Sequence, residues 1–142
     1  MQTVADILDS KGRQVWAVRP ADTVLDALRV MAEHDIGAVA VIEGGELVGI
    51  FTERDYARKV VLIGRASRDS AVREIMTHNL VCVTPGQFVN ECMELMTEHR
   101  LRHLPVLHQD RVIGLVSIGD LVKATIEDHE FTISELQSYV TG

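Results

Sequence analysis

The chain contains few cysteines, prolines and tryptophans, the residue types that form disulfides, interrupt helices and strands, and supply large aromatic side chains. Its 142 residues include two cysteines, three prolines and one tryptophan. No apolar run reaches 18 residues, which excludes a membrane-spanning helix, and the amino terminus lacks the basic start and apolar middle of a signal peptide. We therefore expect a cytoplasmic protein that does not associate with membranes.

The cysteines and the net charge argue against a metal site and against nucleic-acid binding. Cys82 and Cys92 both lie at apolar-patterned positions and belong to no CxxC or Cys/His cluster, so we expect buried thiols and no metal site. Fourteen basic against 21 acidic residues give a net charge of −7, which repels a nucleic-acid backbone. The 46% hydrophobic content is that of a globular domain with a real core.

The chain repeats itself. Residues 15–56 align without a gap with residues 80–121 at a constant offset of 65, so that Asp55 aligns with Asp120. A second repeated element, 4–8 and 72–76, precedes each copy at an offset of 68 and predicts a lead-in helix. Two copies of one supersecondary unit usually bury their apolar faces against each other, so we expect one pseudo-symmetric module.

Each copy predicts the element order β-α-β-β-α, and hence an α/β protein of the α+β type with helices on one side of a sheet. In the first copy, strand 15–18 precedes a proline, and Asp22 or Thr23 then caps an amphipathic helix. Strands 38–42 and 47–51 follow as a hairpin, with Gly44 and Gly45 in the turn. The matching strands of the second copy are 81–83, 104–107 and 112–116.

The most informative motif follows the hairpin of each copy. Residues 49–55 (GIFTERD) match residues 114–120 (GLVSIGD), with a hydroxyl residue three positions before an aspartate. This spacing is typical of a helix capping box, but the box prefers the longer Glu or Gln, so Asp favours a ligand role. A carboxylate at a helix start can accept hydrogen bonds from a ribose diol, and the adjoining N–H groups suit phosphate.

The tail after Asp120 continues as an amphipathic helix with Ile126, Ile133, Leu136 and Val140 among charged residues. Such a stripe indicates that a face is buried, but it does not indicate whose surface buries it. Packing against its own domain and a dimer contact both remain open.

The chain resembles a tandem pair of CBS domains, also called a Bateman module. The resemblance rests on the duplicated units, the lead-ins ending in DIL and EIM, the HLPV strand at residues 103–106 and both hydroxyl-x-x-Asp motifs. It implies two β-α-β-β-α repeats packed with pseudo-two-fold symmetry. The boundaries are 4–62 for the first repeat with its lead-in, 63–71 for a linker, 72–127 for the second and 128–142 for a helical tail.

The resemblance also implies a function. Such modules bind adenosine ligands such as AMP, ADP, ATP, NAD or S-adenosylmethionine in clefts between the repeats, and they regulate rather than catalyse. They need no catalytic cofactor, commonly form a disc-like homodimer and signal to an effector protein, which the sequence does not identify.

Carried over by position, the resemblance assigns Asp55 and Asp120 to ribose hydroxyls, and Thr52 and Ser117 to ribose or phosphate. The other predicted ligand residues are Gly37, Ala38, Val39 and Arg54 in the first copy, Arg102, His103, Leu104, Pro105, Ile118 and Gly119 in the second, and Trp16 and Lys11 outside the motifs. Because Arg54 aligns with Gly119, while Gly37 and Ala38 align with Arg102 and His103, the two clefts have different cations.

Two of these residues have simpler interpretations. Trp16 replaces Val81 at the start of the first strand, where core packing competes with stacking on a base. Lys11 approaches a phosphate or lies on a solvated face.

Two other classes compete with a regulatory module. A nucleotide-processing enzyme would use Asp55 or Asp120 as metal ligand or base, although no G-x-S-x-G, H-E-x-x-H or glycine-rich phosphate loop is present. A ligand-free scaffold would use the hydroxyl-x-x-Asp pairs only as helix caps.

Overall fold

The computed structural model describes residues 1–141; the last residue of the predicted tail, 142, lies outside them. The chain mixes helices and strands, and the predicted α+β class is confirmed. The elements in chain order are α1 (Val4–Lys11), β1 (Ala17–Val18), α2 (Val24–His34), β2 (Ala38–Glu43), β3 (Glu46–Thr52), α3 (Glu53–Tyr56), a π-helical turn (Ala57–Val61), α4 (Val72–Ile75), α5 (Val89–His99), β4 (His103–His108), β5 (Arg111–Ser117) and α6 (Ile118–Thr141).

Both repeats form the predicted hairpin. In the first, β1 pairs parallel to β2 and β2 antiparallel to β3. In the second, β4 pairs with β5, and Val83 joins β4 through a single parallel bridge to Val106. The strand predicted at 81–83 is thus reduced to one bridged residue, and Pro85, which has no N–H, follows two residues later.

The two hairpin turns both have positive φ at their two central residues, although the residues differ. Gly44 and Gly45 have φ of 59° and 81°, as predicted for a tight turn. Gln109 and Asp110 adopt φ of 51° and 63° at the corresponding place. Glycine enters this left-handed region without steric cost, whereas the second turn holds two side-chain-bearing residues in it.

The chain divides into two compact units that differ from the sequence repeats. The repeat-one unit contains Gln14–Val81 and Gln109–Ile113; the repeat-two unit contains Met1–Arg13, Cys82–His108 and the chain from Gly114 onward. The repeat-one unit therefore combines the first hairpin with the second lead-in, 72–76, and the repeat-two unit combines most of the second hairpin with the first lead-in, 4–8. In the repeat-one unit Thr77, after α4, bridges to Ile50 of β3 with hydrogen bonds of 2.9 Å in both directions.

The core of the repeat-one unit lies between α2, its sheet and α4. The predicted stripe of α2 is confirmed, because Val24, Ala27 and Met31 are buried and Leu28 packs beside them. The other buried members of this core are Val18, Val39, Val41, Phe51, Val60, Val72 and Ile75.

The glycine that opens each predicted motif leaves room for a lead-in side chain. A Cβ added to Gly114 would lie 2.6 Å from Leu8 Cδ2, and one added to Gly49 would lie 3.1 Å from the Thr77 carbonyl oxygen and closer still to Met76. Leu8 and Met76 are themselves equivalent positions of the two lead-ins. The same close approach therefore occurs in both units, and it accounts for the glycines without any ligand.

Both cysteines are free thiols, as predicted, but only Cys92 is buried as expected. Cys92 is buried, and burial followed by the neighbouring Glu91 carboxylate raises its pKa to about 11. Cys82 is half-buried, and burial raises its pKa as well. The helices of residues 1–141 include no segment with the length and hydropathy needed to span a membrane.

Candidate functional site

Both hydroxyl-x-x-Asp motifs lie where a strand ends and a helix begins. Thr52 Oγ1 accepts the Asp55 N–H at 3.1 Å, while Asp55 Oδ2 accepts the Thr52 N–H at 3.1 Å. Ser117 and Asp120 repeat this exchange at 3.1 and 2.8 Å. The capping boxes predicted from the spacing are confirmed.

The inference drawn from the length of the aspartate side chain is wrong. Thr3 and Asp6 form the same box before α1, and Thr23 and Asp26 form it before α2, at exposed helix starts outside both motifs. In each, the hydrogen bond from the threonine backbone N–H is the main cause that lowers the pKa of the aspartate. Aspartate therefore reaches the cap N–H throughout this chain, and its presence does not by itself indicate a ligand.

Asp55 is distinguished by its burial and its additional partners. Its side chain is 8% exposed, and its Oδ1 accepts a hydrogen bond from Thr77 Oγ1 at 3.0 Å and pairs with Lys59 Nζ at 3.0 Å. Lys59 also donates to the Ile75 carbonyl at 3.1 Å. Since Oδ2 already serves the cap, both carboxylate oxygens of Asp55 are engaged.

Lys59 and Thr77 were not among the residues predicted from the sequence. Lys59 stands four residues after Asp55, a spacing that places opposite charges side by side on a helix. The sequence spacing could therefore have predicted this ion pair. No sequence pattern predicted the Thr77 contact, because Thr77 reaches Asp55 only through the pairing of its segment with β3.

Asp120 has a different environment. Its Oδ2 accepts the Ser117 N–H and pairs with Lys11 Nζ at 2.7 Å, while Lys11 also donates to the Leu115 carbonyl at 2.9 Å. Within residues 1–141 no hydrogen bond is formed to Asp120 Oδ1, and the side chain is 22% exposed. Burial raises the pKa of Asp120, but the hydrogen bonds from Lys11 and Ser117 outweigh it and hold the pKa below its ordinary value.

Asp120 and Lys11 line a small open pocket in the repeat-two unit. The pocket volume is about 40 Å³, enough for a few water molecules or part of a ligand. Lys123, Ser10 and Glu127 also line it. It therefore presents two ammonium groups, those of Lys11 and Lys123, and two carboxylates, those of Asp120 and Glu127. Lys123 was not predicted, although it follows Asp120 by three residues on the same helix.

The predicted cleft residues of each repeat are brought to the corresponding helix start. The Gly37 carbonyl accepts the Glu53 N–H at 3.1 Å, and the Arg102 carbonyl accepts the Ile118 N–H at 2.9 Å. Ala38 pairs with Thr52 in the sheet register. The side chains of the other strand residues, Val39, Leu104 and Pro105, are buried, and the Pro105 carbonyl accepts the Val83 N–H at 2.9 Å.

The remaining predicted residues differ in how far they are buried and in what they contact. The Trp16 ring stacks on His34 with centroids 3.4 Å apart and an interplanar angle of 9°, so one indole face is covered. Trp16 also packs against the core of its unit, in agreement with the packing interpretation. Arg54 and His103 are half-buried, and Gly119 is exposed at the start of α6.

Among residues 1–141, no group of three or more His, Cys, Asp or Glu side chains is placed to hold a metal ion.

Replacing Lys11 with methionine is expected to raise the pKa of Asp120, because the ammonium group that stabilises its carboxylate is removed. The folded pKa lies below that of an unfolded aspartate. The contact therefore contributes stability above about pH 4, and this is lost as the pH falls through the folded pKa. Titration of the Asp120 carboxyl carbon by NMR measures the change.

Arg13→Met is the matched control, because Arg13 pairs with Asp9 at 2.9 Å instead. An Asp120 titration that is the same in Lys11→Met as in the wild type would contradict the assigned contact.

Comparison with known proteins agrees with the repeats. The CBS domain family model matches residues 4–62 and 72–127. The mitochondrial CBS domain-containing protein CBSX3 of Arabidopsis thaliana is 41% identical over 99% of this chain and 72% of its own length. A solved CBS-domain protein from Burkholderia ambifaria MC40-6 is 55% identical with a TM-score of 0.86, covering 89% of this chain and 96% of its own.

A more distant structure shares the fold. The CBS domain pair of protein MJ0100, solved in complex with 5′-methylthioadenosine and S-adenosyl-L-methionine, has a TM-score of 0.78 and 23% identity, covering 90% of this chain and 98% of its own. The duplicated hairpins, the two capped helix starts and the family match over both repeats lead to one conclusion: the chain belongs to the CBS domain family and carries a pair of CBS domains.

Proposed function

We propose that this CBS pair is a regulatory module that senses an adenosine compound, such as AMP, ATP or NAD, at the helix start containing Asp120. The observation that carries the proposal is the environment of that carboxylate. Asp120 Oδ2 is held by Ser117 and Lys11, while Oδ1 accepts no hydrogen bond within residues 1–141 and the side chain lines an open pocket.

The chemistry of this pocket suits the sugar and phosphate of a nucleotide. A ribose hydroxyl can donate to the second oxygen of Asp120, and the nearby Lys11 and Lys123 can neutralise a phosphate. At about 40 Å³ the pocket accepts only the polar edge of such a ligand, so the base lies outside it. Adenosine compounds are the ligands of the MJ0100 pair, and we extend that ligand class to this chain.

We further propose that Asp120 binds ligand in preference to Asp55. Binding at Asp55 requires the release of Lys59 or Thr77 from Oδ1, and that carboxylate is 8% exposed. Binding at Asp120 requires no such exchange. The proposal therefore expects one strong site per chain.

Lys11 suits the transmission of a signal. It joins the end of α1 to Asp120 at 2.7 Å and to the Leu115 carbonyl at 2.9 Å. A phosphate that draws Lys11 away from Asp120 would change how α1 is held. A ligand shifts a conformational equilibrium only through its different affinity for the two states, so the effector must be a partner protein that distinguishes them.

Thermal unfolding against AMP, ADP, ATP, NAD, NADH and S-adenosylmethionine tests the proposal. Denaturation and mass spectrometry first establish that the purified protein carries no nucleotide. A ligand at a hundred times its dissociation constant adds about 2.7 kcal/mol, so one adenosine compound is expected to raise the midpoint by several degrees. Calorimetric titration is expected to give one strong site per chain.

Asp120→Asn is expected to abolish the shift, because the amide keeps an oxygen for the Ser117 N–H but loses the charge. Asp26→Asn is the matched control, since it alters the same capping box away from the pocket. Failure of every compound to shift a nucleotide-free protein would favour the scaffold, and turnover of a nucleotide in a product assay would favour the enzyme. Equal loss of the shift in both variants would reject Asp120 as a ligand contact.

A further inference from the structure

Helix α6 carries an apolar stripe that its own chain leaves exposed. Only Leu121 and Ala124 of this helix are buried. Every residue from His129 to Val140 is exposed, including Ile133 at 54% and Leu136 at 61%. Packing against its own domain, one of the two interpretations of the tail, is therefore not what this part of the helix does.

The stripe has the spacing of a coiled coil. Apolar residues alternate at intervals of four and three along positions 122, 126, 133, 136 and 140, and His129 occupies the one remaining place in the series. In heptad notation Ile126, Ile133 and Val140 are a positions, and Val122, His129 and Leu136 are d positions. A single helix at a period of 3.6 gains nothing from this repeat unless a second helix covers it.

We propose that this stripe pairs with the same stripe of a second copy of the chain in a parallel, two-stranded coiled coil. The residue types support two parallel strands, because all three a positions are β-branched and Leu136 stands at d. The contact covers residues 122–140, about 28 Å of helix.

The flanking charges also favour a parallel pair of identical helices. The e positions are Lys123, Glu130 and Gln137, and the g positions are Thr125, Thr132 and Tyr139. In a parallel pair each g residue meets the e residue five places on in the other helix, which sets threonine against Glu130 and Gln137 without like charges. An antiparallel pair that aligns all six stripe positions would place Glu130 beside its own counterpart.

The pairing is expected to be weak and concentration-dependent. The stripe covers fewer than three heptads, and His129 places a polar ring at a central d position, where a polar residue lowers stability while specifying register. His129→Leu is therefore expected to tighten the association about tenfold.

Disulfide cross-linking tests the parallel register. In a Cys82→Ser background, in which only the buried Cys92 remains, Val140→Cys places thiols at an a position and Ser138→Cys places them on the outer f position. Mild oxidation is expected to link Val140→Cys chains in pairs and to leave Ser138→Cys chains single. Equal linking of the two variants, or none in Val140→Cys, would overturn the proposal.

A charge substitution separates this contact from a dimer formed through any other surface. Ile133→Glu added to Val140→Cys is expected to abolish the cross-link, whereas Phe131→Glu, at an f position that is 68% exposed, leaves it intact. Both positions are exposed, so circular dichroism is expected to show unchanged folding of the two domains. If the two glutamate variants cross-link to the same extent, the stripe is not the contact.

Discussion

Replacement of Leu8 by alanine is expected to lower the free energy of unfolding by about 2–5 kcal/mol. Leu8 is 0% exposed, and its methyl groups fill the space above the bare backbone of Gly114 in β5. Truncation removes the burial of three carbon atoms and leaves a cavity that the surrounding sheet can only partly close. Chemical denaturation followed by circular dichroism measures the loss, with the exposed Leu62→Ala as a control for side-chain size.

A double-mutant cycle tests the close approach itself. Gly114→Ala alone is expected to destabilise the protein, because its Cβ would lie 2.6 Å from Leu8 Cδ2. In the Leu8→Ala background the same methyl group enters free space, so the two changes couple by about 1–3 kcal/mol. Additive losses would contradict the packing of the first lead-in on the second repeat's strand.

Substitution of Asp55 by alanine is expected to cost about 3 kcal/mol. The carboxylate caps α3, accepts the Thr77 hydroxyl and pairs with Lys59, and its removal leaves all three donors without it. Asp55 also ties the segment after α4 to the start of α3, so the loss reaches beyond one helix end.

Asp26→Ala is the matched control for the cap, since Asp26 closes the same box with Thr23 but is fully exposed. Its loss of stability is expected to be clearly smaller, with Asp120→Ala between the two because Lys11 and Asp120 are partly solvated. Thermal melts of the three variants give the ranking. If all three lose equal stability, Asp55 acts as a cap and nothing more.

Much of the site could be predicted because it is local in sequence. The capping boxes depend on residues three apart, and the two hairpins on alternating apolar residues around a turn. The resemblance to CBS pairs named Asp55, Asp120 and the strand residues 37–39 and 102–105, and the structure brings the two strand segments to the helix starts that contain these aspartates. The inference that aspartate in place of glutamate indicates a ligand role was wrong, because Asp6 and Asp26 close the same capping box at exposed helix starts.

The partners of the two aspartates could not be predicted in the same way. Lys59 follows Asp55 by one helical turn and was readable, but Thr77 and Lys11 lie 22 and 109 residues from the carboxylates they contact. Those contacts depend on which hairpin each lead-in joins. Equal apolar patterns in the two lead-ins leave that choice open in the sequence.

By itself the amino-acid sequence determined the two repeats, the order of their elements, the caps at the helix starts and the apolar stripe of the last helix. These features follow from periodicity and short-range hydrogen bonding, which each segment carries on its own. Only the tertiary structure decided that each lead-in packs on the other copy's hairpin and that the stripe of α6 is exposed. It also decided that both carboxylate oxygens of Asp55 have hydrogen-bond partners, whereas Asp120 Oδ1 has none within residues 1–141. Such outcomes depend on which distant surfaces bury each other, and hydrophobic burial is not directional enough for the pattern of one segment to select its partner.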